Sequence, residues 1–285
     1  MLRIALPNKG RLAEDVRGVF TDAGLEIRAN GERALTASLG GEFEAIFVRS
    51  QDIPELVSDG VADAGVTGWD LVCESGRTVD VRLDLEFGRC RLVLAARDDA
   101  HIAGPEQLPP GTRVATVFPR LATAFFGAKG LAVEVVPVSG ATEVAPHLGI
   151  ADVVVDLTTT GSTLRTNGLK EVCTLLDSSA RLIARPDLAP DRQRALGELE
   201  DALASVLRAR GKRYLMANVP RARLEAVREV LPGLSGPTVV ELYGAGPLVA
   251  VHAVVSEASL YRTVAALKAL GGEGILVTRI ERLLP

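Results

Sequence analysis

The chain has 285 residues, of which 47% are hydrophobic and 24% charged, and these proportions favour a globular protein with two or three packed cores. Its net charge of -4 is spread along the chain without a block of like charge, so nucleic-acid binding is not expected. The longest apolar stretch, 248–255, is far shorter than the roughly 20 residues that cross a bilayer. No signal-peptide pattern precedes the first strand, and we therefore expect a cytoplasmic protein without membrane contact.

Short apolar runs alternate with helical patterns through the first two thirds of the chain. Strands are expected at 2–7, 43–48, 62–66 and 112–117, and helices near 52–59 and 121–128. The first strand is expected to alternate between buried and exposed side chains. The succession of strands and helices predicts an α/β fold with largely parallel sheets.

A short internal repeat suggests two similar lobes. Residues 60–68, with the sequence GVADAGVTG, resemble residues 149–155, with the sequence GIADVVV. Each copy follows a predicted helix that opens with an acidic residue. Two unrelated helix-to-strand turns could match this well by chance, so both interpretations stay open at this point.

The last third of the chain predicts a separate module. A helix over 187–210 carries apolar residues at helical spacing and ends at Gly211. Strands then follow at 214–219, 238–243, 248–255 and 275–280, and helices at 221–231 and 259–270. This βαββαβ order is typical of a ferredoxin-like, ACT-like domain.

The strongest candidate for a binding site is the segment 156–163, which follows the apolar strand 153–155. Its hydroxyls, its backbone N–H groups and Gly161 could converge on a phosphate at the carboxyl end of the strand. Asp156 is the better ligand candidate, whereas Asp152 is too far along the strand to share a metal ion with it and suits a structural role. The Thr and Ser side chains could instead cap the next helix, which for such a loop alone is the commoner case.

Polar residues also follow three other predicted strands. Lys9 and Arg11 come after the first strand, and Arg49 follows the strand 43–48, where a guanidinium suits bidentate phosphate binding. Asp70 comes after the strand 62–66 and could accept from a ligand amine or hydroxyl. Capping of a helix is an equal alternative for Asp70, and solvated turns are the usual alternative for the cations.

Nothing in the sequence indicates covalent catalysis. The three histidines are far apart, and no Ser or Cys lies in a nucleophile-elbow pattern. The three cysteines lack CxxC spacing and a nearby His, so they are expected to be reduced thiols. No P-loop or dinucleotide fingerprint follows a strand. An electrostatic mechanism is therefore expected.

Together these segments resemble the ATP phosphoribosyltransferases, the family that begins histidine biosynthesis. The family signature is matched by Glu143, Gly149–Asp152, Val154, Asp156–Leu157 and Thr160–Leu164. The likeness continues through Lys9–Leu12, Asp52–Pro54, Gly60–Asp70, Phe118–Pro119 and Asn167–Leu169, then Leu231–Gly233 and Pro237–Thr238. It covers essentially the whole chain, including the C-terminal domain that the short form of the family lacks.

The resemblance implies transfer of a phosphoribosyl group from phosphoribosyl pyrophosphate to N1 of ATP, giving phosphoribosyl-ATP and pyrophosphate, with Mg²⁺ as cofactor. The Mg²⁺ is expected to travel with the phosphates rather than in a dedicated protein cage. Catalytic roles are implied for Lys9, Arg11 and Arg49. The donor site is assigned to Glu143, Asp152, Asp156, Leu157, Thr158, Thr159, Thr160, Gly161, Ser162 and Thr163. The ATP site is assigned to Lys9, Arg11, Arg49, Thr67, Gly68, Asp70 and Leu71.

The resemblance also implies a bilobal catalytic unit like the type II periplasmic binding proteins, with the active site in the cleft. Lobe I is expected at 1–88 and 178–211, lobe II at 89–177, and a regulatory domain at 212–285. This domain would bind L-histidine as a feedback inhibitor, in homo-oligomers that interconvert between dimer and hexamer. The histidine site is assigned to Asn218, Thr238, Gly272, Glu273 and Ile275. Asn218 stands where relatives often have an acid, and the loop 244–247 is variable.

Other functions stay open on the sequence alone. A bilobal fold also serves solute receptors, so a cytosolic small-molecule binding protein is the chief alternative, although the phosphate loop opposes it. A non-catalytic regulatory paralogue would keep the fold but would be expected to lose Lys9, Arg11 and the loop at Thr160, which are present. A phosphoribosyltransferase with another acceptor is not excluded by fold-level reasoning.

Overall fold

The computed structural model describes residues 1–29, 34–244 and 246–284. The chain divides into two compact units, residues 1–203 and residues 204–285. Ala245, which belongs to the variable loop noted above, lies outside the described residues.

The first unit contains two sheets with helices around them. Up to the first passage between the sheets, its elements are β1 (Leu2–Pro7), α1 (Arg11–Asp22), β2 (Ile27–Ala29), β3 (Thr36–Leu39), β4 (Phe43–Val48), α2 (Ile53–Ser58), β5 (Ala64–Gly68), α3 (Trp69–Ser75) and β6 (Asp80–Asp84). They continue with β7 (Cys90–Arg97), β8 (Thr112–Thr116), α4 (Pro119–Ala128), β9 (Val133–Pro137), β10 (Val153–Thr158), α5 (Ser162–Thr166), β11 (Leu169–Ser178), β12 (Ala180–Ala184) and α6 (Pro190–Ala209).

Lobe I is built on a seven-stranded sheet with the order β2-β3-β4-β1-β5-β12-β6. β1 lies in its middle and runs parallel to both β4 and β5. Ile4, Ala5 and Leu6 are consecutive and fully buried, so the alternation expected for this strand is wrong. A central strand is covered on both faces, which is why its side chains are apolar in both directions.

Lobe II is built on a five-stranded sheet with the order β11-β7-β10-β8-β9. β10 is parallel to β8 and antiparallel to β7. Phe118, the N-cap residue of α4, and Phe126 of α4 pack onto Leu92 and Leu94 of β7, and this cluster forms the core on one face of the sheet. Because β8 and β10 run parallel, their carboxyl ends lie at the same edge of the sheet.

The α/β bilobal fold expected from the sequence is confirmed, but the sheets are mixed rather than largely parallel. The chain passes from lobe I to lobe II through residues 85–89 and returns through Ser179. The strands next to these two passages, β7, β11 and β12, run antiparallel to their neighbours. The two passages lie at the edge of each sheet where the parallel strands have their carboxyl ends. A strand that starts or ends at a passage therefore runs antiparallel to those strands.

The internal repeat is a structural one. Gly60 and Gly149 both have left-handed backbone conformations, with φ of 76° and 70°. Each turn leads to an aspartate, Asp63 or Asp152, whose carboxylate accepts a backbone hydrogen bond from the neighbouring strand. The helix expected before the second copy is only a short 3₁₀ turn over Thr142–Val144, so that part of the prediction is wrong.

α6 lies against lobe I over its first half, where Glu200 accepts from Arg82 Nε at 2.6 Å and Arg192 pairs with the buried Asp63. The division between the two units falls inside this helix, before the boundary at 212 expected from the sequence. In the second half of α6 the Ser205 carbonyl accepts from Leu283 N at 2.9 Å, so these turns are tied to the C-terminal segment.

The second unit has the predicted βαββαβ order and the ferredoxin-like topology. Its further elements are β13 (Lys212–Pro220), α7 (Leu224–Val230), β14 (Thr238–Glu241), β15 (Leu248–Ser256), α8 (Leu260–Ala269) and β16 (Glu273–Arg279). The sheet order is β14-β15-β13-β16, with antiparallel pairing throughout. Val227 of α7 and Leu267 of α8 pack with buried residues of β13 and β15, so the helices cover one face of the sheet.

Candidate active site in the interlobe cleft

The loop between β10 and α5 carries the hydroxyl groups that the sequence singled out. Thr158 Oγ1 accepts a hydrogen bond from Gly161 N at 2.8 Å, and Thr160 Oγ1 donates to Ser162 Oγ at 3.0 Å. Gly161 has a φ of +72°, and a Cβ at this position would lie 2.6 Å from an oxygen of Glu171. The left-handed backbone of this turn therefore favours glycine.

The helix-capping interpretation of this loop holds in part. The N-cap residue of α5 is Gly161, which has no side chain, but Thr160 Oγ1 accepts from Ser162 N at 3.4 Å and Thr158 Oγ1 accepts from Gly161 N. The hydroxyl side chains are exposed at Thr159, Thr160, Ser162 and Thr163. These donors remain accessible to an anion that binds beside the glycine.

Asp156 lies in β10 just before the loop and is half-buried. Its Oδ1 accepts from Leu157 N at 2.7 Å. Burial raises the pKa of the Asp156 carboxyl and the negative charge of Glu143 raises it further, against the lowering effect of the Leu157 N–H and the Thr142 hydroxyl. Glu143 and Asp156 are thus close enough for their charges to interact, and they form an acidic pair beside the hydroxyl loop.

Asp152 is not brought to this loop. It precedes β10 at the opposite end of the strand, where its carboxylate accepts from Arg113 N at 2.8 Å and pairs with the Arg113 guanidinium at 2.9 Å. Hydrogen bonds from Arg113 lower the pKa of Asp152, so the carboxylate is held ionised in a structural pair. Asp63 occupies the equivalent position before β5 in lobe I, which explains why the repeat contains an aspartate.

Lobe I contributes cations at the ends of β1 and β4. Asn8 N donates to Val48 O at 2.9 Å, which brings the segments after the two strands together. Lys9 and Arg49 line a shared cavity of about 380 Å³ with Gln51. The two strand ends that the sequence selected therefore meet, as parallel neighbours do.

A larger cavity of about 600 Å³ lies between the two lobes. Arg11, Gly68, Asp70 and Leu71 line it from lobe I, and Thr159 of the hydroxyl loop lines it from lobe II. It shares the lining residues Ser50 and Leu71 with the cavity at Lys9, so the two cavities adjoin. A ligand in this cleft would contact cations on one side and the hydroxyl loop on the other.

The turn between β5 and α3 is more buried than the sequence suggested. Thr67 is fully buried and its hydroxyl donates to Ser50 O at 2.7 Å, so this side chain holds the turn together. Asp70 makes no capping hydrogen bond in α3. It accepts instead from Ser178 Oγ at 2.5 Å, and its own N–H donates to the same hydroxyl at 3.0 Å.

Sequence reasoning missed the residues of the passage between the lobes. Arg89 and Cys90 line both the central cavity and an adjoining cavity of about 460 Å³, together with Thr159. The described contacts of Arg89 include a hydrogen bond from its Nε to Glu86 O at 3.3 Å but no ion pair. The one available signal was the glycine at Gly88, which has a φ of +63° and marks a turn.

Within residues 1–29, 34–244 and 246–284, no group of three or more His, Cys, Asp or Glu side chains is arranged to hold a metal ion. The same residues contain no helix with the length and hydropathy to cross a membrane. Cys73, Cys90 and Cys173 are free thiols, and burial raises the pKa of each. None of them is poised as a thiolate nucleophile.

The residues assigned to a histidine site do not all meet in the second unit. Asn218 on β13 pairs with Glu273 on β16 at a register shift, and Gly272 directly precedes that strand. Ile275 packs toward the helix-covered core. Thr238 lies on β14, which is separated from β13 by β15, so it is two strands away from Asn218.

Comparison with known proteins matches both units of the chain. The family model described as ATP phosphoribosyltransferase matches residues 49–205, and that of the HisG C-terminal domain matches residues 209–282. An ATP phosphoribosyltransferase of Gemmatimonas aurantiaca is 68% identical over 292 residues, covering 100% of both chains, and one of Methanocella arvoryzae is 48% identical, covering 99% of both. A solved ATP phosphoribosyl transferase (HisG:HisZ) complex from Thermotoga maritima is similar with a TM-score of 0.62 and 27% identity, over 72% of this chain and 99% of that one.

Proposed function

The chain belongs to the ATP phosphoribosyltransferase family, and from this premise we propose how its interlobe cleft carries out the reaction. It is a glycosyltransferase that uses ATP as a substrate and catalyses the first step of histidine biosynthesis. The donor we propose is phosphoribosyl pyrophosphate, and the acceptor atom is N1 of the adenine. The observation that carries the proposal is a cavity lined by Arg11 of lobe I and Thr159 of the lobe II loop, which adjoins the cavity of Lys9 and Arg49.

The donor is proposed to bind at the loop of lobe II. The exposed hydroxyls of this loop would hold its 5′-phosphate together with backbone N–H groups of 158–163. Asp156 and Glu143 would accept from the ribose hydroxyls. Asp152 has no part in this site, because it is paired with Arg113 at the other end of the strand.

ATP and the departing pyrophosphate are proposed to use lobe I. Lys9, Arg11 and Arg49 follow the ends of neighbouring strands and line two adjoining cavities, where they can neutralise phosphate oxygens. Gly68, Asp70 and Leu71 line the same cleft at the start of α3 and would hold the nucleoside part of ATP. Thr67 supports this turn from inside rather than touching the ligand.

The reaction requires the protein mainly to position the two substrates and to stabilise the charges that develop on them. N1 of adenine has a free lone pair, so no general base has to remove a proton before it attacks the anomeric carbon. The bond from that carbon to pyrophosphate breaks as the new C–N bond forms, and positive charge develops on the ribose. The acidic pair Asp156 and Glu143 lies where it would stabilise that charge, while the lobe I cations would stabilise the leaving pyrophosphate.

A magnesium requirement fits the residues present. Mg²⁺ prefers oxygen ligands and keeps several waters and substrate phosphates, so one or two carboxylates suffice on the protein side. Asp156 and Glu143 supply two carboxylates of this kind next to the hydroxyl loop. When bound, Mg²⁺ would neutralise the pyrophosphate of the donor, and these two side chains are the residues that would hold it.

Regulation and assembly are proposed for the second unit. We propose that it binds L-histidine as a feedback inhibitor, with Asn218, Gly272 and Glu273 as neighbouring candidates at one end of the sheet. The sheet face opposite the helices carries the exposed Val240 and Leu276, which supports assembly into homo-oligomers such as dimers and hexamers. The cytoplasm, where ATP is available, is the proposed compartment.

The decisive experiment is an optical assay of phosphoribosyl-ATP formation by the purified chain. It contains ATP, phosphoribosyl pyrophosphate and Mg²⁺, and is run with and without L-histidine. Product that depends on the donor and on Mg²⁺ and falls with histidine supports the catalytic and the regulatory proposals. Product without suppression would remove the histidine site, and a well-folded chain that gives no product would overturn the cleft assignment.

A further inference from the structure

α3 belongs to lobe I by chain order, because it follows β5 of the seven-stranded sheet. Its last turn nevertheless reaches lobe II. Glu74 accepts two backbone hydrogen bonds from the start of α4, one from Arg120 N to Oε1 and one from Leu121 N to Oε2, each of 2.9 Å. Both carboxylate oxygens are therefore used on a helix of the other lobe.

The start of α4 needs such a partner. The first N–H groups of a helix have no acceptor within the helix, and a negative charge near them is favourable. The N-cap residue Phe118 offers no side-chain cap, and no acidic residue of α4 lies in its first turn. Glu74 fills this role from outside, so the cap of a lobe II helix is supplied by lobe I.

Two further contacts attach α3 to lobe II. Leu71 packs against the lobe II core cluster that contains Phe118 and Phe126. Asp70 is hydrogen-bonded to Ser178, the last residue of β11. On its other side, Val72 is buried with Ile53 and Val57 of lobe I, so α3 is held by both lobes at once. α3 therefore forms a strut between the lobes.

The first turn of this strut lines the cleft at Gly68, Asp70 and Leu71. We propose that Glu74 is a positioning residue for the acceptor substrate. By capping α4, it fixes the orientation of α3 against lobe II, and so keeps the ATP side of the cleft in register with the donor loop carried by lobe II. This inference rests on the proposed assignment of ATP to the start of α3.

The test compares Glu74→Gln with the unchanged chain and with Glu55→Gln. Gln keeps the size of Glu74 but turns one of its two acceptors into a donor that faces an N–H. Glu55 is an exposed glutamate of α2 that pairs with Arg77 within lobe I, so its variant controls for the loss of a charge. Glu74→Asp, which is one methylene shorter, provides a second variant should Gln impair folding.

Initial rates are measured with ATP varied at saturating donor and with donor varied at saturating ATP. For Glu74→Gln we expect kcat/KM for ATP to fall about five- to tenfold, the effect of losing one charged helix cap. The KM for the donor should change less than about twofold, because no hydrogen bond of the described residues joins the 158–163 loop to α3, and Glu55→Gln should match the unchanged chain. The kcat/KM of Glu74→Asp for ATP should lie between that of the unchanged chain and that of Glu74→Gln.

Binding gives a readout that does not need turnover. Trp69 is the only tryptophan of the chain and begins α3, so its fluorescence reports ligands at the strut. Glu74→Gln should weaken ATP in this titration and leave the donor unaffected. A lower melting temperature with unchanged ATP binding and kinetics, or equal losses for both substrates, would overturn the inference. If the chain without any substitution makes no product, the proposed function is overturned instead. The ATP titration would then still decide the role of Glu74.

Discussion

At the scale of single residues, the site contains one carboxyl group, that of Asp156, whose pKa is raised by folding. Burial and the charge of Glu143 raise the pKa of Asp156 above its ordinary value of 3.8. Its ionised form is therefore destabilised in the folded protein relative to the unfolded one. A position that served stability alone would favour a neutral side chain here, so the carboxylate is best explained by its proposed contact with the ribose.

Asp156→Asn should separate these two roles. Because the folded-state pKa is raised, the stability that the wild type has below pH 3.8 is lost as the pH rises through the folded pKa. Asn does not titrate, so the variant should be more stable than the wild type at pH 7 and similar at low pH. Its kcat/KM for the donor should fall about 10- to 100-fold, as expected for losing hydrogen bonds to a charged group.

Urea unfolding at several pH values and donor-dependent kinetics measure both effects. A variant that is less stable at neutral pH, or that keeps full donor efficiency, would contradict this account of Asp156.

At the scale of elements, the two passages between the lobes are held together by backbone hydrogen bonds and by the side chain of Asp84. Leu85 N donates to Ala180 O at 2.9 Å, which joins the outgoing and returning segments. Asp84 adds to this, since its Oδ1 accepts from Glu86 N and from Ser179 Oγ, each at 2.9 Å, and it pairs with Arg181. The contacts of Asp84 therefore act as a clamp that holds the outgoing passage, 85–89, against the returning passage at Ser179.

Asp84→Asn should loosen the clamp in a pH-dependent way. Burial alone would raise the pKa of Asp84, but the Glu86 N–H, the Ser179 hydroxyl and Arg181 together lower it. The stability from this carboxylate is present above the ordinary value of 3.8 and is lost as the pH falls through the lower folded pKa. The variant should lose about 1 kcal/mol at pH 7 and less at pH 3, because protonation of Asp84 removes this contribution as the pH falls.

Denaturant titrations at the two pH values check this difference. Asp99→Asn, which removes an exposed ion pair with Arg97, is the matched control and should leave the midpoint unchanged. A loss for Asp84→Asn that is the same at both pH values would argue against the electrostatic clamp.

In lobe I, α2 packs closely onto β5 because Gly65 has no side chain. A Cβ on Gly65 of β5 would lie 2.5 Å from Ile53 Cγ2 and 3.1 Å from Val57 Cγ2, the two residues that α2 packs onto the sheet. Gly65→Ala should cost about 1–3 kcal/mol by overpacking. Gly18→Ala in α1, where the new Cβ meets no atom within 4 Å, should instead stabilise by about 0.5–1 kcal/mol. Equal unfolding free energies for the two variants would contradict this.

At the scale of the whole molecule, the second unit has one covered and one open sheet face. α7 and α8 cover the first face, whereas Leu276 on β16 is 61% exposed and Val240 on β14 is 45% exposed. An apolar face of this kind on a ferredoxin-like sheet is typical of an interface. Histidine response and assembly are therefore proposed to depend on the same unit.

Leu276→Lys should disrupt such an interface. We expect a smaller assembly by light scattering and at least a tenfold weaker response to L-histidine, while phosphoribosyl-ATP formation without histidine stays within about twofold. Tyr261→Lys, at an exposed position of α8, is the control and should keep both mass and response. An unchanged mass for Leu276→Lys would exclude this face as the interface.

The sequence by itself determined the α/β class, the βαββαβ module, the repeat and the hydroxyl loop, because these depend on local periodicity and on turn residues such as Gly161. The family resemblance is likewise a property of the sequence. Sequence patterns could not decide which face of a strand is covered, and so the buried run of β1 and the mixed sheets were not predicted.

Only the tertiary structure decided which polar residues share a site. The strand spacing already separated Asp152 from Asp156, but only the structure shows that Arg11 and Thr159, which are distant in the sequence, line one cavity. The Glu74 cap on α4 also follows from no local pattern. Hydrogen bonds and cavities between lobes depend on pairings far apart in the chain, and a local signal contains no information about them.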